Sequence, residues 1–230
     1  MSDLKITSGG KEYISRASTL LANAFETDST LTYMLSSLSA EARKAYLPRY
    51  FETLLKMSVM HNGTIDEVDD WKSCGVILPP GTDYTETWTA IQSGFLSIFW
   101  KVGWQGFQKM SKELGVATSA CKKKVLSKGD KYYYIFFLGT HVDARGRGLC
   151  SQVVKHYQAA ATKEQLPIYL EAGTEYCFKL YQKLGFVLVD NIKLGVGKCD
   201  EKGNPCKGGE GVTIRGMIWT PDSSAKGNTS

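Results

Sequence analysis

The 230-residue chain has no run of about 18 apolar residues, so no membrane-spanning helix is expected. It has no C-x-x-C pair. Cys74, Cys121, Cys150, Cys177, Cys199 and Cys206 are scattered, and only three histidines accompany them. The spacing of a zinc site is therefore absent, and in a reducing compartment such thiols read as buried or idle. The opening MSDLKITSGG holds no apolar segment behind a basic one, so no secretory signal is read there. A cytoplasmic location is the expectation. Nor is there a concentrated basic face interleaved with aromatics. The net charge is +5, and the nearest basic cluster, 121–131 (CKKKVLSKGDK), reads as a solvated loop, so no nucleic-acid partner is expected. No internal repeat occurs.

What remains is ordinary for a folded protein, with 43% hydrophobic and 22% charged residues. The length suits one substantial core rather than two independent domains. A strand is read at 4–7. From Glu12 to Phe25 apolar residues recur at helical spacing, and a second amphipathic segment runs from about Ala40, where Pro48 should start the helix late or kink it. Strands follow at 64–68 and 73–78, with turns at 61–63 and 69–72 and a Pro-Pro-Gly stop at 79–81. The segment 82–118 holds Trp88, Phe95, Phe99, Trp100, Trp104 and Phe107 among Gly94, Gly103 and Gly106. It reads as one or two loosely jointed helices, either core or a movable cover over an apolar substrate.

The run 131–142 (KYYYIFFLGTHV) is the strongest strand signal, and its unbroken apolar character predicts a central strand buried on both faces. A loop leads into a helix from Gly148 to about Thr162. A strand at 167–172, a short helix at 176–184 capped by Gly185, and strands at 186–191 and 212–219 complete the order. The expected domain covers 1–220, with a disordered tail over 221–230.

Strand, glycine loop and helix together make an anion-binding arrangement. The first turn of a helix has amides outside its own ladder and the positive end of the dipole. Gly146 and Gly148 allow close backbone approach, and Arg145 and Arg147 add charge. Residues 146–151 (GRGLCS) superficially match the dinucleotide fingerprint G-x-G-x-x-G. The third glycine is Ser151, however, and the motif lies past the middle of the chain rather than in a first βα turn.

The segment 138–151 (LGTHVDARGRGLCS) resembles motif A of the GNAT superfamily of acyl-CoA N-acyltransferases, whose core is R/Q-x-x-G-x-G/A. Arg145 and Gly148 fit it; Cys150 stands where glycine or alanine is usual. Residues 169–186 (YLEAGTEYCFKLYQKLGF) resemble motif B, with 181–186 (YQKLGF) matching Y-x-K-x-G-F and Cys177 in the place of a frequent asparagine. Within the superfamily the chain is similar to small-molecule acetyltransferases of the puromycin N-acetyltransferase type.

The resemblance implies an α/β fold with a mixed, mostly antiparallel sheet of six to seven strands flanked by helices. The strands at 131–142 and 167–172 would run parallel and part around acetyl-CoA. It further implies that Leu138, Gly139, Thr140, Arg145, Gly146, Arg147, Gly148, Leu149, Cys150, Ser151 and Cys177 bind that cofactor. The reaction it implies is direct attack of an amine on the thioester. On the same resemblance an oxyanion would be met by a backbone N–H near 139–141, and Tyr181 is the candidate acid for the departing thiolate. An alkylamine is mostly protonated at pH 7, so a base is useful, and Glu171 is the first candidate, as base or as an anchor for the amine's charge. His141 is the alternative base. The partner is a small amine, with a toxin, an antibiotic or a metabolite as candidates and detoxification as a role; the chain would be a monomer or homodimer. Acetylation of a protein, or a non-catalytic CoA-binding regulator, are the other readings.

Overall fold

The computed structural model describes residues 5–82 and 95–221, with 95 and 96 described by backbone alone. In chain order its elements are β1 (Ile6–Gly9), α1 (Ile14–Ala24), α2 (Ser29–Met34), α3 (Ala40–Met60), β2 (Thr64–Val68) and β3 (Ser73–Leu78). Then come α4 (Phe95–Gln108), a π-helical turn (Lys109–Leu114), α5 (Gly115–Lys122), β4 (Tyr133–Thr140), α6 (Leu149–Glu164), β5 (Ile168–Ala172), α7 (Glu175–Lys183), β6 (Val187–Leu194) and β7 (Val212–Trp219). The seven strands form a mixed α/β sheet flanked by helices, as the sequence implied. Trp88 and the expected tail beyond residue 221 lie outside the described residues.

By contact the chain divides into two compact units, Met1–Glu26 with Lys44–Leu96 and Lys131–Ile168, and Thr27–Arg43 with Ser97–Asp130 and Tyr169–Ser230. In the first, β1, β2, β3 and β4 pair successively and antiparallel, with a bulge in the β3–β4 ladder after Val76. The strand buried along its whole length is β3, whereas β4 is mostly half-buried. The expectation of a doubly buried strand thus belongs to β3. Its small and aliphatic residues (SCGVIL) let α6 come close, while the large rings of β4 keep an edge in solvent. The close approach is centred on Gly75, where an added Cβ would lie 2.5 Å from Tyr157 Oη and 2.7 Å from Val153 Cγ1. Phe25, Phe51 and Phe137 pack against one another with centroids 5.2–5.9 Å apart. Pro48 sits inside α3, so the helix does not start late; the proline removes one ladder bond without ending it.

In the second unit the strand order is β5-β7-β6, with β6 and β7 antiparallel. The aromatic segment forms α4, broken by the non-helical Gly103 (φ 70°), then the π-helical turn and α5, which matches the loosely jointed helices read there. The π-helical turn is held by Glu113, which accepts from Tyr33 Oη at 2.8 Å and pairs with Lys198 at 2.7 Å. Arg215 of β7 grips α7 by pairing with Glu175 at 2.7 Å and lying 4.9 Å over the Phe178 ring. The helix α2 was not anticipated. It is six residues long and built partly of threonine, too short to show a period.

Replacing Gly75 by alanine forces fully buried Val153 and Tyr157 outward. Overpacking of this kind costs about 1–3 kcal/mol, so the urea midpoint of Gly75→Ala should fall by the corresponding amount with an unchanged slope. A midpoint equal to that of the parent chain would show that α6 does not dock tightly on β3.

Candidate active site

The left-handed corner that opens α6 is formed by Gly146 and Gly148, both at φ 78°. Side chains other than glycine adopt this conformation at a cost of roughly 1–2 kcal/mol each. An added Cβ at either glycine would meet nothing within 4 Å, so the corner is a bare backbone surface facing open space. Gly148 is the N-cap of α6, and the first amides of that helix, at Leu149, Cys150 and Ser151, lie outside its own ladder. Backbone donors, a positive helix end and no obstructing side chain fit the pyrophosphate of a CoA thioester.

The two arginines do less than their charge promised. Arg145 folds back on the protein, with Nε 3.5 Å from the Thr140 carbonyl oxygen and an Nη 3.4 Å from that of Ala24. Arg147 pairs with Asp69 at 2.8 Å. Gly139 and Thr140 are paired into β3, where the Ser73 hydroxyl reaches Gly139 O at 3.0 Å and Thr140 Oγ1 at 2.8 Å. Leu138 lies opposite Gly75 in the same ladder. His141 is used structurally. Its Nδ1 accepts from the Asp143 amide at 3.4 Å, capping the turn Val142–Ala144, and its own amide donates to Lys72 O at 2.8 Å. The first unit therefore brings the motif A residues, 138–141 and 145–151, to one strand end and one helix start.

The motif B residues are in the second unit, on the consecutive elements β5 and α7. Glu171 is half-buried on β5. Burial, and then the charges of Asp190 and Glu171, push the neighbouring Cys121 thiol up against a lowering hydrogen bond from Tyr169. Tyr181 is buried, 6% exposed, with its ring 5.8 Å from that of Phe186. Cys177 is part-buried in the first turn of α7, and its amide donates to the N-cap Thr174 Oγ1 at 3.1 Å.

Asp28 escaped the sequence reading. It is the N-cap of α2 and accepts from the Leu31 amide at 2.9 Å. Its Oδ2 lies 3.2 Å from where a Cβ on Gly173 would stand, which places the carboxylate beside the residue that follows β5. Burial pushes its carboxyl above the ordinary value, outweighing the Leu31 and Thr30 amides that lower it. An aspartate immediately before S-T-L-T is an N-cap signal, and it was the one available clue.

Residues 102–186, which contain both motifs, match the model of the acetyltransferase (GNAT) family. An uncharacterised N-acetyltransferase of Schizosaccharomyces pombe is 23% identical over 221 residues, covering 96% of this chain and 84% of that protein. Among solved structures, arylalkylamine N-acetyltransferase 2 of Aedes aegypti superposes with a TM-score of 0.62 at 16% identity, over 96% of this chain and 100% of the other. The polyamine N-acetyltransferase of Drosophila melanogaster, which forms N-acetylagmatine, gives 0.57 at 13% identity, over 95% and 100%. The chain is an acetyltransferase whose residues 102–186 are similar to the GNAT family. Acetyl-CoA is its cofactor, and no helix among the described residues is long and apolar enough to cross a membrane.

A buried carboxyl of raised pKa makes folding prefer its protonated form. The contribution of Asp28 is thus most favourable below 3.8 and declines as pH rises through the raised folded value. Asp28→Asn keeps a capping side chain and removes the titration. The stability of the variant relative to the parent should therefore increase from about pH 4 upward and then level off. Urea unfolding across that range checks it; a pH-independent difference would mean that the carboxylate is fully hydrated.

Proposed function

We propose that the chain acetylates the amine of a small molecule by direct attack on acetyl-CoA. The observation that carries this is the bare left-handed glycine corner at the start of α6, which holds the cofactor through backbone amides. Acetyl-CoA supplies an activated acetyl group as a thioester. The backbone of 145–151 binds it, with Leu138, Gly139 and Thr140 forming the strand end that orients it and Cys177 a further contact from α7.

Acid–base work falls to the second unit. Glu171 draws the proton from the attacking nitrogen or holds the ammonium by charge. Asp28, beside Gly173, adds a second carboxylate near the same strand end. Two carboxylates suit an acceptor that arrives as a cation, since an alkylamine has a pKa near 10.4. Tyr181 gives its phenolic proton to the leaving sulfur. His141, already engaged as a cap, is the weaker candidate base.

Support for a small acceptor comes from the two superposed acetyltransferases, whose substrates are an arylalkylamine and agmatine. In the segment 82–118 Trp100 and Trp104 stand 81% and 59% exposed, so these two rings are not core. They suit a cover over an apolar part of the acceptor. A puromycin-type small-molecule branch, with a toxin, an antibiotic or a metabolite as acceptor, is the finer form of this reading.

Free-CoA release measured across a panel of arylalkylamines, polyamines, aminonucleosides and peptides should show turnover with one small-amine class and none with peptides. Preference for a peptide would transfer the reading to protein acetylation. With the best amine, Glu171→Gln should lower kcat/KM at least about tenfold, and by about 10²–10⁴-fold if it is the base, and leave CoA affinity unaltered. Parental rates at every pH would remove Glu171 from both roles.

Tyr181→Phe deletes only the hydroxyl. Loss of a positioned general acid should lower kcat on the order of 10²-fold while fold and CoA binding persist. Full kcat with chemistry rate-limiting would leave Tyr181 as packing.

A further inference from the structure

The turn between β2 and β3 contains a backbone anomaly. Asp69 (φ 59°), Asp70 (φ 50°) and Trp71 (φ 64°) are consecutive, all left-handed, and none is glycine. Each such residue costs on the order of 1–2 kcal/mol, and a bulky tryptophan is an unusual occupant. Strain of this kind persists only where the surroundings enforce it. Here the enforcement is visible. Glu67 Oε2 accepts the Trp71 amide at 2.8 Å. Arg16 lies 5.0 Å over the Trp71 ring and reaches Asp70 at 3.1 Å. Tyr13 meets Trp71 edge-on at 5.0 Å.

The product of this conformation is the placement of one carboxylate. Asp69 points at Arg147, 2.8 Å away, and Arg147 lies between the two glycines of the anion corner. A carboxylate next to an anion site opposes binding through space, so a neutral residue would serve better if the turn had no other task. The pair is neither deeply buried nor free, with side chains 50% and 26% exposed for Arg147 and Asp69. An ion pair so placed is worth only about 0–1 kcal/mol. A guanidinium on a phosphate makes charge-assisted, often bidentate bonds that are stronger. Exchange of Asp69 for a phosphate is therefore downhill once a diphosphate is present, and reverses when it leaves.

We propose that Asp69 is a positioning residue that holds Arg147 off the corner while no cofactor is bound and surrenders it to the incoming pyrophosphate. The strained β2–β3 turn exists to present that carboxylate. The proposal rests on the reading that residues 145–151 bind CoA. It makes the affinity for CoA lower than the corner alone would allow, which favours release of the spent cofactor.

The test is calorimetric titration with CoA at low salt. Asparagine tolerates the left-handed region as aspartate does, so Asp69→Asn removes the charge while keeping the backbone preference. CoA should bind the variant about 2–5-fold more tightly, the equivalent of releasing an exposed pair. Arg147→Gln should bind more weakly than the parent, and Asp69→Asn added to it should change nothing. Unchanged or weaker binding in Asp69→Asn overturns the proposal. So does an equal gain in the presence and absence of Arg147, which would mark a through-space charge effect alone. A readout that needs no variant is the carboxyl carbon resonance of Asp69 in the parent chain. It should shift as CoA saturates the protein, and a resonance that does not move at saturation also overturns the proposal. Gly148→Asp separates the two failures. If that variant, folded, binds CoA like the parent, or the parent binds none, the corner itself is misassigned and the role of Asp69 falls with it.

Discussion

The direction in which α6 leaves β4 is the constraint on which the first unit depends. Two left-handed glycines make the corner, but they do not aim it. The aim comes from Val153 and Tyr157 seated over Gly75, one and two turns along the helix, and from Arg145, which ties the corner to the ends of β4 and α1. A helix dipole acts within its first turn, so an error of a few degrees at the docking point displaces the amides from a ligand's phosphates. Packing distant from the chemistry therefore sets the electrostatics at the helix start.

That arrangement leaves the side-chain charges in an unexpected role. Both arginines of the loop are occupied by protein acceptors, one by carbonyls and one by a carboxylate. The donors facing open space are then main-chain amides. Amides bind anions without the long-range field of a guanidinium, so while both arginines are so occupied the corner's exposed donors select by geometry more than by charge. A chain whose overall charge is only +5 can use an anionic cofactor on these terms.

Much of this was legible in the sequence. The strands 64–68, 73–78 and 212–219 fall where alternation and turn residues placed them, and the glycine corner follows from its spacing alone. Legibility failed where three-dimensional crowding, not pattern, decides. The aromatic run of β4 looked like the buried centre, yet β3 is the strand enclosed throughout, because Gly75 and its small neighbours admit α6. Pro48 predicted a late start or a kink for α3; the late start does not occur, since the helix begins at Ala40 and packing of Tyr46, Leu47, Phe51 and Leu55 carries it through the proline. Asp69 and Asp70 read as an ordinary turn, since nothing local reveals that the turn is left-handed throughout.

Asp28 marks the same limit in the second unit. Its sequence context announces only a cap, a role that any of four residue types fills. Burial adds what the context cannot, by raising the carboxyl above its ordinary value. Glu171 on β5 is half-buried as a residue, yet its Oε1 has no solvent exposure, and nothing in its sequence position announced that enclosure. Both carboxylates thus owe their surroundings to packing, which residue type and spacing do not encode.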